Sequence, residues 1–332
     1  MTVLRKRIAA AAVTGILAFT SPAMAETIAS GGYYPANSDA GLGLETITVD
    51  PIDGPEGAKV GYELKQALDG LTIDGEQWFE IVPTDFAAVD AVIRGSADSS
   101  SSITELDDKK VTTCAEKDED GKCVRNKVSY YSCSRYSVTF YPDIEILRAD
   151  GSVLHSVREE ARSSTDYCSD QDSRPSVQRM GDRLIENFAS TMRHTLAPRF
   201  RRSDYRLLER RKGLEKADRK LFKQGLKLTK SDEKAACEVF KGLAETNPQQ
   251  VSVLFNVGLC HEAAGDYTLA ADFYRRAWDA EPNKWMTDDA LKRVEKQQRA
   301  QAQFAQRAEI LAERYAEAEA EEPTADLADA SE

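Results

Sequence analysis

The stretch 254–282 constrains the fold more than any other part of the sequence. Its apolar residues recur at helical spacing on both sides of Gly265, which predicts two helices joined by a tight turn. Gly258 and Ala270 stand where the two helices would cross, because only small side chains let two backbones approach closely. Asp266 is placed to cap the second helix. The stretch therefore predicts a closely packed helical hairpin.

A second copy of this pattern lies upstream. Four positions precede their counterparts by 34 residues and four by 33, so the turn between the two helices differs in length by one residue. One helical hairpin cannot bury its own apolar face, so the copies are expected to stack and a further helix to cap them. The matched positions are Ala236, Phe240, Leu243 and Pro248 with Ala270, Tyr274, Ala277 and Pro282, and Leu221, Phe222, Gly225 and Leu226 with Leu254, Phe255, Gly258 and Leu259.

The two copies resemble the tetratricopeptide repeat (TPR) over residues 217–282, with a departure at His261, where the family usually has a tyrosine. The resemblance implies an all-α domain whose first helices line a groove for a peptide or a partner helix. An alternative stays open, in which the capping helix or another domain covers that surface. Carried over from the family, the partner-binding positions are Arg219, Phe222, Leu226, Phe255, Leu259 and Glu262.

The first 25 residues are typical of a secretory signal peptide. They have a basic start at 5–7, an apolar run at 8–19 and small residues at 23–25. The apolar run is shorter than the roughly 20 residues that a membrane-spanning helix needs. We therefore expect cleavage near Ala25 and a periplasmic or secreted protein that does not span the membrane. Loss of three basic residues takes the formal net charge from −12 to −15.

Six cysteines remain in the expected mature chain, and an even number in an exported protein favours disulfides. One pair flanks the turn signal at 120–121. A hairpin turning at 150–151 places Cys133 opposite Cys168. The third pair would join neighbouring helices of the stacked repeats. The predicted disulfides are Cys114–Cys123, Cys133–Cys168 and Cys237–Cys260.

Residues 44–198 predict an α+β domain. The order of elements is strand, helix, two strands, a long hairpin and a helix, which favours a mainly antiparallel sheet with two helices on one face. The charged stretch 103–127 is expected to be an inserted hairpin closed by a disulfide, and residues 26–43 a flexible leader. The predicted fold is thus an α+β domain followed by an all-α TPR-like domain and a long C-terminal helix.

The order of elements in the α+β domain resembles the periplasmic domain shared by curli-secretion lipoproteins and by outer-membrane activators of penicillin-binding proteins. The family's lipid anchor is missing, because no cysteine follows the apolar run of the signal peptide. The resemblance implies a non-enzymatic role in envelope assembly or secretion. The segments that carry it are 60–68, 79–82, 90–98, 136–154 and 196–198.

Residues 199–230 are strongly basic, with thirteen Lys or Arg against four Asp or Glu. We expect a basic connecting helix at 199–216, a TPR-like domain with its capping helix at 217–320 and a disordered acidic tail at 321–332. The basic stretch is either a solvated helix face or a contact for an anionic glycan or lipid. Nucleic acid is not an expected partner, because no aromatic platform accompanies the charges. The candidate polyanion-binding residues are Arg201, Arg202, Arg210 and Arg211.

No motif in the sequence indicates catalysis. There is no glycine-rich phosphate loop, no nucleophile elbow and no CxxC pair, and His155, His194 and His261 are scattered. We therefore expect no catalytic residues, no metal and no cofactor. The leading hypothesis is an exported, non-enzymatic protein-binding adaptor or scaffold in cell-envelope assembly or secretion, which binds a protein or peptide through the TPR groove. The rivals are an envelope polyanion or glycan binder acting through 199–230 and a hydrolase with an unrecognised site.

Overall fold

The computed structural model of the protein describes residues 26–84, 89–282 and 284–321. The expected signal peptide and the acidic tail beyond 321 lie outside the described residues. The strands are β1 (Thr27–Tyr34), β2 (Thr46–Val49), β3 (Thr72–Ile73), β4 (Glu76–Gln77), β5 (Glu80–Ile81), β6 (Ala91–Lys117), β7 (Cys123–Arg148), β8 (Val153–Val157), β9 (Ala161–Cys168) and β10 (Arg199–Arg206). The helices are α1 (Gly57–Leu68), α2 (Val177–Leu196), α3 (Lys216–Leu228), α4 (Glu233–Thr246), α5 (Val251–Ala263), α6 (Tyr267–Ala280) and α7 (Trp285–Glu321).

The described residues divide into two compact units. The helical unit comprises residues 26–31 and 202–294, and the sheet unit comprises residues 32–201 and 295–321. Helix α7 contributes its first ten residues to the helical unit and the rest to the sheet unit. The fold mixes α and β structure with antiparallel sheets and a long C-terminal helix, as the sequence predicts.

The main sheet has the strand order β5-β2-β6-β7, and β8 and β9 both pair with the outer edge of β7. Strand β2 is parallel to both of its neighbours, and the pairs within β6 to β9 are antiparallel. Cys133 lies opposite Cys168 in the β7–β9 ladder, as the hairpin register predicts. Pro142, which has no N–H to donate, falls in the interval between the residues that pair with β8 and those that pair with β9.

The core of the sheet unit lies between the strands and the helices. Val60, Leu64 and Leu68 follow one another at a spacing of four residues, so α1 buries a single stripe. Helix α2 packs against α1 and contributes Ile185 and Phe188 to the same core. Burial of these apolar side chains is the main favourable term in the stability of the unit.

Two predicted segments are wrong. Residues 26–43 are not a flexible leader, because 27–34 form β1 and the side chains of Ile28 and Leu42 are fully buried. Residues 199–216 are not a connecting helix, because β10 occupies 199–206 and pairs with β1. The pairing joins segments that are far apart in the sequence, so no local periodicity predicts it.

The stretch 103–127 is not a separate insertion. It continues β6 and β7, which run for 27 and 26 residues and remain paired almost to the turn at 118–122. Most side chains between 99 and 131 are exposed. The hairpin is therefore a long ribbon that leaves the core, and the disulfide between Cys114 and Cys123 joins its two strands near the turn.

Candidate functional site

The helical unit is built from two helical hairpins that stack in chain order: α3 packs on α4, α4 on α5 and α5 on α6. Small residues lie where the helices meet. A Cβ atom at Gly258 would stand 2.7 Å from the ring of Tyr274, and one at Gly225 would stand 2.9 Å from the ring of Phe240. The helices therefore approach closely at the positions that the sequence pattern singles out.

The turns between the helices follow the expected chemistry. Gly265 has a φ of +80°, which suits the residue that ends α5. The side chain of Asp266 accepts a hydrogen bond from the backbone N–H of Leu269 at 3.2 Å, and Asp232 does the same for Ala235 at 2.9 Å. Each capping bond satisfies a backbone donor at a helix start, which fixes where α4 and α6 begin.

The predicted groove residues do not line an open surface, because five of the six are buried. Arg219 is exposed, and its guanidinium donates to the carbonyl of Leu214 at 2.7 Å. The four apolar side chains of the set belong to the buried core of the helical unit. The buried members of the predicted site are Phe222, Leu226, Phe255, Leu259 and Glu262.

The segment 207–215, which is neither helix nor strand, packs on α5. Leu207, Leu208 and Leu214 belong to the same buried cluster as the predicted groove residues. The side-chain amide of Asn256 on α5 is fully buried and pairs with the backbone of Leu208 twice. The N–H of Leu208 donates to Oδ1 at 2.9 Å, and Nδ2 donates to the carbonyl of Leu208 at 3.1 Å. The chain's own backbone therefore lies against α5, at a residue next to the predicted groove position Phe255.

Glu262 forms a buried ion pair with Arg293 of α7. The guanidinium donates to both carboxylate oxygens, at 2.5 and 2.7 Å, and the hydroxyl of Tyr274 donates to the carboxylate at 2.7 Å. Burial by itself would lower the pKa of Arg293, but the hydrogen bonds and charge of Glu262 outweigh it and raise that pKa. Burial, followed by the charge of Glu262, raises the pKa of Tyr274. Glu262 is thus committed to the interior of the helical unit.

The four candidate polyanion-binding arginines do not share one helix face. Arg201 and Arg202 follow each other on β10, whose side chains alternate between its two faces. The guanidinium of Arg201 lies 5.3 Å from the ring centre of Tyr34. Arg210 lies in the irregular segment and forms an ion pair with Glu281 at 3.3 Å, and its neighbour Arg211 is exposed.

The three cysteine pairs expected from the sequence are bonded in the structure. Each bridge joins neighbouring elements: β6 with β7, β7 with β9, and α4 with α5. Disulfides fit an exported protein, because thiols in reducing compartments are kept reduced. The bonded pairs are Cys114–Cys123, Cys133–Cys168 and Cys237–Cys260.

Among the described residues, no group of three or more His, Cys, Asp or Glu side chains is placed to hold a metal ion. Likewise, no helix in the described ranges is long and apolar enough to cross a membrane. The three histidines stay apart: His155 lies on β8, His194 at the end of α2, and His261 stacks on Phe273 with ring centres 5.4 Å apart.

Two residues of this site were missed from the sequence. Asn256 interrupts a run of apolar residues in a helix that is buried on nearly all sides, and a polar residue in such a place needs a buried partner. That signal could have found it. Arg293 carries no local signal, because it lies among many charged residues of α7 and its partner is 31 positions away.

Neither a protein-family model nor a curated protein matches this chain. Among solved structures it is similar to an uncharacterised lipoprotein B from Nitrosomonas europaea, with 12% identity, 48% of this chain and 86% of the other covered, and a TM-score of 0.25. It is also similar to a dodecameric PelC from Paraburkholderia phytofirmans, with 14% identity, coverage of 50% and 98%, and a TM-score of 0.21. A third similarity is to a homologue of the neuraminyllactose-binding hemagglutinin from Helicobacter pylori, with 11% identity, coverage of 48% and 80%, and a TM-score of 0.23. TM-scores this low leave the function of the chain to be argued from its own residues.

Proposed function

We propose that the protein is an exported, non-enzymatic adaptor of the cell envelope, and that its TPR-like helical unit binds an irregular or extended segment of a protein partner. The observation that carries the proposal is the pairing of Asn256 with both backbone groups of Leu208. Such a pairing contacts the main chain and not the side chain. Any segment that presents an N–H and a C=O at that point can therefore form it.

The apolar surroundings support the same function. Leu207, Leu208 and Leu214 are buried in one cluster with Phe222 and Phe255. Main-chain hydrogen bonds combined with pockets for apolar side chains are the usual basis for recognising a peptide segment. In this proposal the segment 207–215 occupies the partner's place until the partner displaces it.

The chemistry of this proposal needs no catalytic group. The charged residues of the helical unit's interior, Glu262 and Arg293, neutralise each other in a bidentate pair. Their role in the adaptor is to hold α5 and the start of α7 at a fixed distance, so that the face of α5 keeps its shape when the covering segment leaves.

A peptide added in trans tests the proposal. The probe is a fluorescent peptide of residues 205–214, and the protein is the mature chain with Leu207→Ala and Leu208→Ala, which weaken the covering segment. We expect the peptide to bind this variant at least ten times more tightly than it binds the wild type, because the cis segment no longer competes. Binding should persist in 0.5 M salt, since apolar burial and not charge drives it.

Two controls decide the outcome. A scrambled peptide of the same composition controls for charge, and Asn256→Ala in the loosened variant removes the main-chain contact. Equal binding of both peptides, or binding that survives Asn256→Ala, would overturn the proposed recognition. If the peptide behaves as expected, salt-resistant capture from envelope extracts with the loosened variant should identify the partner.

A further inference from the structure

A cavity in the sheet unit gathers positive charge without a compensating acid. It has a volume of about 360 Å³ and lies between the end of α2, the start of β10 and the β3–β4 hairpin. Three guanidinium groups and one imidazole line it, and none of the lining residues is an aspartate or glutamate. The cationic residues are Arg193, His194, Arg199 and Arg201.

The arginines of this cavity have no acidic partner in the described part of the chain. None of the three forms an ion pair there, whereas arginines elsewhere in the sheet unit, such as Arg135 and Arg158, do. The Nε atom of Arg199 is buried and has no hydrogen-bond acceptor. An unsatisfied buried donor costs free energy that an incoming acceptor would recover.

The electrostatics of the cavity also favour a bound anion. Burial, followed by the charges of Arg199, Arg193 and Arg201, lowers the pKa of His194. Burial and then the charge of Arg201 lower the pKa of Arg199. Like charges held together in this way repel one another, and a bound anion would relieve the repulsion.

Two features near the cavity carry negative charge or its partial equivalent and would oppose an anion. Both already accept hydrogen bonds from other groups of the sheet unit. Asp74 accepts a hydrogen bond from the hydroxyl of Tyr33 at 2.7 Å. The negative end of α2 is capped, because the carbonyls of His194 and Thr195 accept hydrogen bonds from the backbone N–H groups of Asn37 and Ser38, at 3.0 and 3.1 Å.

An aromatic wall stands beside the charges. Phe200 is 57% exposed, and its ring packs edge-to-face on Tyr33 with ring centres 5.3 Å apart. Leu71 and Ile73 complete an apolar side of the cavity. A ligand that fits both sides carries a compact, doubly charged group and a ring with a C–H face that can pack on an aromatic side chain.

We propose that this cavity binds a phosphorylated sugar, with the phosphate among Arg193, His194, Arg199 and Arg201 and the sugar ring against Phe200. A phosphomonoester carries close to two negative charges at neutral pH and three acceptor oxygens, which matches several guanidinium groups better than a single carboxylate does. Arginine binds such oxygens in bidentate geometry. The same chemistry occurs in a free sugar phosphate and in the phosphorylated sugar headgroup of a glycolipid.

Calorimetric titration of the mature chain tests the site. The probes are glucose 1-phosphate, inorganic phosphate and glucose, in buffers of matched ionic strength. We expect glucose 1-phosphate to bind most tightly, phosphate more weakly and glucose not at all. Arg199→Gln and Arg201→Gln should each weaken glucose 1-phosphate by about tenfold, because each removes a charge-assisted hydrogen bond. Arg148→Gln, an exposed arginine at the end of β7, is the matched control and should change nothing.

Two further readouts keep the test decisive. Phe200→Ala should weaken glucose 1-phosphate and leave inorganic phosphate unchanged. Saturation with glucose 1-phosphate should raise the pKa of His194, measured from its imidazole NMR signals. Arg201 is exposed, so its variant tests the site even if Arg199→Gln fails to fold.

Vesicles separate the two sources of the sugar phosphate. Binding to vesicles that contain monophosphoryl lipid A, competed by glucose 1-phosphate, would assign a glycolipid headgroup, whereas binding of the soluble probe alone would assign a free sugar phosphate. The proposal is overturned if glucose 1-phosphate binds no better than glucose, or if Arg201→Gln and Arg148→Gln bind it equally well.

Discussion

The close approach of helices in the helical unit makes a sharp prediction about two glycines. Gly258 and Gly242 both lie inside helices, α5 and α4, and differ in the space around them. A Cβ atom at Gly258 would stand 2.7 Å from two ring carbons of Tyr274, whereas one at Gly242 would meet no atom within 4 Å. The same substitution, Gly→Ala, should therefore have opposite effects at the two positions.

The magnitudes follow from two opposing terms. Replacing a helical glycine with alanine gains about 0.5–1 kcal/mol, because alanine loses less backbone entropy on folding. At Gly258 this gain competes with overpacking, which costs about 1–3 kcal/mol. The ring of Tyr274 is fully buried and its hydroxyl is bonded to Glu262, so it has little freedom to move aside. We expect Gly258→Ala to destabilise the helical unit by about 1–2 kcal/mol and Gly242→Ala to stabilise it by about 0.5–1 kcal/mol.

Hydrogen exchange measured by mass spectrometry on the mature chain reports these changes locally. Peptides from α5 and α6 give the free energy of opening of the helical unit without assuming that both units unfold together. If Gly258→Ala stabilises the unit as much as Gly242→Ala does, the helices do not pack closely at this point and the reasoning is refuted.

Three further predictions concern buried or partly buried charged and titratable groups. Glu262→Gln leaves Arg293 buried without a counter-ion. It should lower the free energy of opening of α5, measured by hydrogen exchange, by about 3–5 kcal/mol. Lys292→Met, which removes a neighbouring exposed ion pair, should cause no measurable change. Arg307 donates to three backbone carbonyls of the sheet unit, so Arg307→Lys should lower the free energy of unfolding by about 1–3 kcal/mol in urea titrations followed by tryptophan fluorescence. Burial lowers the pKa of His261 from 6.5, so the unfolded chain binds a proton more readily than the folded one. Stability of the helical unit should therefore fall as the pH drops below 6.5, and His261→Gln should reduce that fall in thermal unfolding scans; an unchanged pH dependence would contradict this reasoning.

The predictions from sequence succeeded where neighbours along the chain carry the information. Periodicity within 254–282 marks α5 and α6, and Gly265 and Asp266 mark the turn between them, because caps and turns depend on a few adjacent residues. Cys133 pairs with Cys168 as the expected turn at 150–151 predicts, although the β7–β8 ladder shifts by one residue between Ile146 and Leu147.

The predictions failed where distant segments meet. The basic composition of 199–206 suggested a helix, but these residues pair with β1 at the other end of the chain, and a ladder formed at that separation leaves no local pattern. The cavity that Arg199 and Arg201 line was missed for the same reason. Residues two positions apart lie on the same face of a strand, whereas on a helix they would point in different directions.

The amino-acid sequence by itself determined α5 and α6, the disulfide partners and the small residues at the helix crossings, because each of these depends on spacing along the chain. Only the tertiary structure decided that the expected groove residues are buried. The sequence does not show whether the leucines of 207–215 face water or join a core. Asn256 shows the physical reason: its fully buried amide must find a donor and an acceptor, and it finds both on Leu208, 48 residues away.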